Sequence, residues 1–340
     1  MSIKVNLKYR RWKTVNLLFI ILTVFSIPAW GDVDLPPSPE NEPTVVYVSL
    51  VILDIDEISD NNQNFTANLF VRFRWMDPRL AHDGLKSISR KLEEVWNPRL
   101  IFLNIQRTWS NLPKVVEIRP SGEVIHRIQL WGNFSQPLDL RNYPLDRHLF
   151  KIPIVAGYAT DKLIVHVDPE TIPYIAETLS VADWDIINFH GEAKELKLSN
   201  HYTHNSVVFS FEGIRRVENI IIKVIIPLIL IVIMSWTVFW IDPQQTGSQL
   251  AMSVTSVLTL IAYHIALGSK LPEIPYMTRL DLFVFGSTLI VFASLIEVVI
   301  TSRLSTSDKL YRARKVDMIC RWIFPIVFAF IAVYSFVLRS

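Results

Sequence analysis

The chain has 340 residues, half of them hydrophobic, and a formal net charge of +2. That balance, with no stripe of Lys and Arg interleaved with aromatics, gives no reason to expect nucleic acid. Its single cysteine, Cys320, excludes an intrachain disulfide and two-cysteine zinc motifs.

The first 31 residues read as a signal peptide: Lys4, Lys8, Arg10, Arg11 and Lys13 precede an apolar stretch from Val15 to Phe25, and Ala29 and Gly31 offer cleavage sites. A retained anchor is the alternative. Leu35-Pro36-Pro37-Ser38-Pro39 is a linker. Residues 32–217 carry strand patterns. Val45 to Leu53 is a β-branched run. Phe65 to Trp75 alternates, with Leu69, Val71, Phe73 and Trp75 on one face and Phe70, Arg72 and Arg74 on the other. Further runs lie at Val115–Ile118, Val124–Leu130, Leu149–Val155, Leu163–Val167 and Val207–Phe211. Many short strands parted by turn residues such as Pro120-Ser121-Gly122 predict an exported, immunoglobulin-like β-sandwich, and a domain of this size can fold on its core alone.

Residues 218–340 change character. Four apolar spans, at about 219–240, 248–269, 279–302 and 319–339, are each long enough to cross a bilayer. Pro227, in the first, is tolerable in packed membrane helices. Arg303, Lys309, Arg312, Arg314 and Lys315, assigned to the link between the third and fourth spans, make that link cytoplasmic. The strand domain and the C-terminus then lie outside, across a cell (inner) membrane.

The second span is dotted with Ser and Thr. On a helix, Ala251, Thr255, Leu258, Ala262, Ile265 and Ser269 share one face. A helix lining an aqueous pore explains this pattern; so does a helix packed through small and hydroxyl residues. His264, one step from that stripe, is expected behind it. No nucleophile elbow, P-loop or dinucleotide fingerprint stands out, so an enzyme is not expected, nor is a cofactor.

Five separated motifs are similar to those of pentameric ligand-gated ion channels (the Cys-loop receptor superfamily), above all the prokaryotic members. They are Trp75-Met76-Asp77-Pro78-Arg79-Leu80; Trp96-Asn97-Pro98 followed by Asn104; Asp139-Leu140-Arg141-Asn142-Tyr143-Pro144-Leu145-Asp146; Trp236-Thr237-Val238-Phe239-Trp240; and Leu271-Pro272-Glu273-Ile274-Pro275-Tyr276. The signature loop would begin near Phe134-Ser135 and lacks both cysteines, so packing and hydrogen bonds must hold it.

The resemblance implies a homopentamer in a lipid bilayer, opened by a small-molecule agonist or protons and passing monovalent ions. It makes the second span the pore helix, from Gly247 to Ser269, with Leu258, Ala262 and Ile265 as the gate. It implies coupling through Asp60, Asp146 and Arg215, with Pro144 and Pro272; Arg216 is an alternative to Arg215. The agonist site would lie between subunits and involve Tyr158, His201, Tyr202 and His204 from one and Arg72 and Arg74 from its neighbour. Ala156 stands where an aromatic is expected, and the two arginines suit a carboxylate-bearing agonist. No metal site is expected at His201 and His204. Gly247-Ser248-Gln249 matches neither the anion nor the cation pattern at the pore mouth, and the nearest acid is Asp242. The expectation is cations, with an anion channel or a non-conducting membrane sensor as alternatives.

Overall fold

The computed structural model describes residues 35–38, 42–157, 162–197, 203–268, 274–307 and 309–338. The predicted signal peptide, Tyr158, His201, Tyr202, Ser269 and Pro272 lie outside the described residues.

Two sheets form the first half. The larger joins β1 (Thr44–Ser59), β2 (Asn64–Met76), β3 (Ile88–Lys91), β5 (Ile105–Ser110), β6 (Val115–Ile118), β7 (Glu123–Ser135), β9 (Leu163–Val167) and β10 (Tyr174–Ile175). The smaller runs β11 (Trp184–Lys197), β12 (Thr203–Arg215), β8 (Arg147–Val155), β4 (Ile101–Phe102). The alternation in β2 works as predicted: Leu69, Val71, Phe73 and Trp75 are buried. Between the sheets Phe65 stacks on Phe134 at 5.2 Å between ring centroids and meets the edges of Phe150 and Phe211 at 5.4 and 5.6 Å. Each such ring contributes about 1.5–3 kcal/mol of burial. This cluster fixes the end of the sandwich that faces the helices.

Four helices follow: α1 (Glu218–Trp240), α2 (Thr246–Gly268), α3 (Arg279–Thr306) and α4 (Leu310–Leu338). All are long and apolar enough to cross a membrane. Pro227 has no N–H to give to residue 223, and α1 widens into a π-helical turn over Ile221–Ile225 just before it. α3 is central, with half of its most apolar stretch buried, whereas α4 has only 6% buried and is peripheral. α4 begins at Leu310, nine residues earlier than predicted, and so takes Arg312, Arg314 and Lys315 into its first turns; Arg303 sits in the last turn of α3. Of the five basic residues assigned to the link, only Lys309 lies outside a helix. Hydropathy detects the part of a helix that matches lipid and misses a helical extension into water.

Candidate functional site

Where the strand domain meets the helices, two loops converge on one guanidinium. Arg215, the last residue of β12, donates from Nε to Asp146 Oδ1 at 2.8 Å and from its terminal nitrogen to Asp146 Oδ2 at 3.0 Å and Asp60 Oδ1 at 2.7 Å. Asp60 comes from the β1–β2 turn and Asp146 from the loop before β8. Trp184 and Tyr143 flank the guanidinium, at 4.2 and 4.8 Å from their ring centroids. His148 Nε2 lies 2.8 Å from Asp146 Oδ2. Burial pushes the Asp146 carboxyl up, but the hydrogen bonds from His148 and Arg215 outweigh it and hold Asp146 below the usual carboxylate range. Burial pushes the Tyr143 phenol up to about 12. Arg216, the alternative, turns away and donates from Nε to Asp185 at 2.8 Å.

The loop containing Asp146 reaches the helices directly. Tyr276 Oη, just before α3, accepts from Leu140 N at 3.0 Å and donates to Leu138 O at 3.3 Å. Arg279 Nε donates to Asn142 Oδ1 at 2.9 Å, and a terminal nitrogen donates to Phe336 O on α4 at 2.8 Å. Pro144 lies inside this loop, after a cis Tyr143–Pro144 bond. With no cysteines to close it, the loop is clasped by side-chain amides. Asn104 Nδ2 donates to Ser135 O at 3.0 Å and Lys151 O at 2.9 Å, and Gln136 Oε1 accepts from Lys151 N at 3.2 Å. Trp184, His148, Tyr276 and Arg279 were not picked out by sequence reasoning as parts of this junction.

In α2 the stripe read from the sequence faces away from the chain's own helices. Gly247, Ala251, Thr255, Leu258, Ala262 and Ile265 are exposed, and Gln249, Ser253, Ser256, Val257, Leu260 and Leu267 are buried. The hydroxyls therefore divide. Ser253 and Ser256 pack inward, whereas Thr255 and Thr259 stay on the exposed side and donate to the carbonyls of Ala251 and Thr255, each at 2.8 Å. His264 Nε2 is 2.8 Å from Thr288 Oγ1 on α3, behind the stripe as predicted. Asp242 is engaged by Arg314 of α4 at 2.9 Å.

The agonist candidates fall on two sheets. His204 Nδ1 lies 3.2 Å from Ala156 O on the smaller sheet. Arg72 and Arg74 belong to β2 of the larger sheet, and no hydrogen bond or ion pair among the described residues joins the two groups. Both arginines hold Asp168, each at 2.7 Å. Arg74 also meets Glu123 at 2.9 Å and lies over the Tyr47 ring at 4.8 Å. A cavity of about 310 Å³ adjoins Arg74, Tyr47 and Met76. Burial raises the Asp168 carboxyl, but hydrogen bonds from Arg74, the Glu170 amide and Arg72 hold it low. A depressed carboxyl stabilises the fold above the ordinary carboxylate range, and that stability is lost as pH falls through the lower folded value. Asp168→Asn is accordingly expected to cost about 1–3 kcal/mol near neutral pH and to flatten the acid limb of a thermal-melting profile against pH.

Residues 32–217 match the family model for the neurotransmitter-gated ion-channel ligand binding domain, and residues 224–309 match that for the neurotransmitter-gated ion-channel transmembrane region. A proton-gated ion channel of Gloeobacter violaceus is 28% identical over 322 residues, covering 92% of this chain and 89% of that protein. A gamma-aminobutyric acid receptor subunit beta-4 of Gallus gallus is 28% identical over 276 residues, covering 78% of this chain and 56% of that subunit.

Proposed function

The chain belongs to the neurotransmitter-gated ion-channel family, and from that premise we propose that five copies form a homopentameric channel whose pore is lined by α2. It is a membrane protein with an extracellular ligand-binding domain, four transmembrane helices and no expected catalytic role. The observation that carries the pore assignment is the face of α2. A stripe of small, hydroxyl and apolar residues, free of charge, is left exposed by its own subunit, which suits an aqueous pathway closed by dewetting. Exposed face and buried face alternate with the helical period, so the stripe points away from the rest of its own chain.

In this reading an agonist binds between subunits. Arg72 and Arg74 of one subunit approach His204, and the segments bearing Tyr158, His201 and Tyr202, of the next. Arg72 keeps part of its side chain exposed beside Asp168, which suits a carboxylate-bearing small molecule. Protons are a second reading. The Gloeobacter relative is a proton-gated channel, and burial in this chain pulls the His126 imidazole below its ordinary range despite the nearby Val115 carbonyl, so acid must charge a buried ring.

We propose conduction of monovalent cations with shallow selectivity. No Arg or Lys stands in α2, and Asp242 is partnered by Arg314, which leaves weak fields at the mouth. Purified protein in a planar bilayer is expected to give unitary currents on stepping pH or on applying small carboxylates and amines. Its solubilised mass should be close to five times that of the mature chain. A reversal potential that follows the chloride gradient refutes the cation reading, and a stable monomer that conducts refutes the pentamer.

A further inference from the structure

The cytoplasmic end of the helical domain contains a polar cluster that gating at the extracellular side does not use. Glu297 of α3 and Asp317 of α4 are 7% and 0% exposed, and Gln249 and Ser253 of α2 are 0% and 1% exposed. The two carboxyl groups face each other within hydrogen-bonding reach. Gln249 Nε2 donates to Ile241 O at 3.0 Å and lies 3.5 Å from Asp317 Oδ2. Five buried oxygens have no partner among the described residues: both of Glu297, Oδ1 of Asp317, Oε1 of Gln249 and Oγ of Ser253. A carboxylate is an acceptor only, so two facing carboxylates form no hydrogen bond until a proton stands between them.

Charge balance points the same way. Arg321 of α4 is the nearby cation; its Nε donates to Phe239 O at 2.8 Å, and its charge acts on Asp317. Asp242, at the link before α2, is cancelled by Arg314 at 2.9 Å. Cys320, one turn along α4, is the other titratable neighbour. Glu297 and Asp317 together therefore exceed Arg321 by one negative charge. An uncompensated charge inside a membrane-buried cluster is costly, and touching carboxylates do not both ionise. We infer that Glu297 and Asp317 hold one exchangeable proton between them, forming a proton-binding site that ties α3 to α4 at the cytoplasmic end. Loss of that proton sets two like charges against each other between a central and a peripheral helix. The site thus makes helix packing sensitive to cytoplasmic pH, independently of any agonist at the outer domain.

Infrared difference spectroscopy of the full chain in lipid nanodiscs, stepped in pH, tests this directly. The wild type should show a protonated-carboxyl stretch at neutral pH that disappears on alkalinisation. The band should be absent in both Glu297→Gln and Asp317→Asn. A second readout is melting of the detergent-solubilised assembly. The native pair holds a proton that the unfolded chain releases, so wild-type stability should fall as pH rises, and Glu297→Gln should flatten that fall. The proposal is overturned if the wild type has no protonated carboxyl at neutral pH, or if the band survives in both variants. It is equally overturned if sodium ions stabilise the wild type while the band is missing, because a metal cation then occupies the pair.

Discussion

Arg215→Ala is expected to abolish agonist-evoked current. The guanidinium binds three carboxylate oxygens from two loops and is itself only 7% exposed in its side chain, against 1% for Asp146 and 18% for Asp60. Truncating one partner of a buried ion pair costs about 3–5 kcal/mol, because the remaining charges stay desolvated without compensation. The ring contacts to Trp184 and Tyr143 go as well. Arg215→Lys should rescue poorly, since a single ammonium cannot span three oxygens in a planar fork. Asp60→Asn separates coupling from folding. It weakens the tie to the β1–β2 turn and leaves the two Asp146 bonds in place, so assembly should persist while the activation curve shifts to higher agonist concentration. Whole-cell currents normalised to assembled protein at the surface decide the matter, and wild-type responses in Arg215→Ala would remove this cluster from the coupling path. Acid should not release the clamp early. Asp146 is held below the usual carboxylate range by His148 and Arg215, so its stabilisation is present at neutral pH and is lost only as pH falls through that lowered value.

The sequence showed the parts of this junction that follow from local pattern. The alternation of β2 was legible because it buries one face against the other sheet, and the apolar run inside β12 because Ser206 to Phe211 are buried on both faces. β11 was missed although it is 14 residues long. It is an edge strand, mostly exposed, and rich in Glu and Lys, a composition that protects edges and hides the period of two. Register then decided between Arg215 and Arg216. Arg215 is still paired with Trp184 in the β11–β12 ladder, which places it against the ring and the two carboxylates, whereas Arg216 lies one step beyond the strand and meets Asp185. A one-residue step in a strand reverses the side of the sheet a side chain takes, and no motif printed that parity. Tyr276 and Arg279 touch residues more than 130 positions away, and a single sequence carries no signal for such pairs. The split of the α2 hydroxyls was hidden for a related reason: periodicity groups residues into faces but does not say which face the other helices cover.

That exposed face carries the second large effect. In the proposed pentamer Leu258, Ala262 and Ile265 ring the upper half of the pore, and in one chain Leu258 is 61% and Ile265 75% exposed. An isolated subunit gives Leu258 and Ile265 little cover, and in the proposed pentamer neighbouring copies would shelter them in the closed state. Water withdraws from a narrow apolar ring, and an ion cannot cross it without its hydration shell. Thr255 sits one turn below. Its hydroxyl hydrogen goes to Ala251 O, which leaves oxygen lone pairs free to face a permeating ion. Leu258→Ser should wet the ring at rest. One leucine is worth about 1.5–3 kcal/mol of apolar burial, and a bias of about 1.4 kcal/mol is a tenfold change in an equilibrium. Five substitutions are thus expected to raise the resting open-to-closed ratio at least about tenfold and to move activation to lower agonist concentration. A purely structural role predicts the opposite pattern: fewer channels, each gating as before. Because Leu258 is mostly uncovered within its own subunit, the substitution disturbs little intrachain packing, and the assembled fraction should hold. Single-channel recording reads the two quantities separately, and an unchanged resting open probability in Leu258→Ser would rule out the hydrophobic gate at this ring.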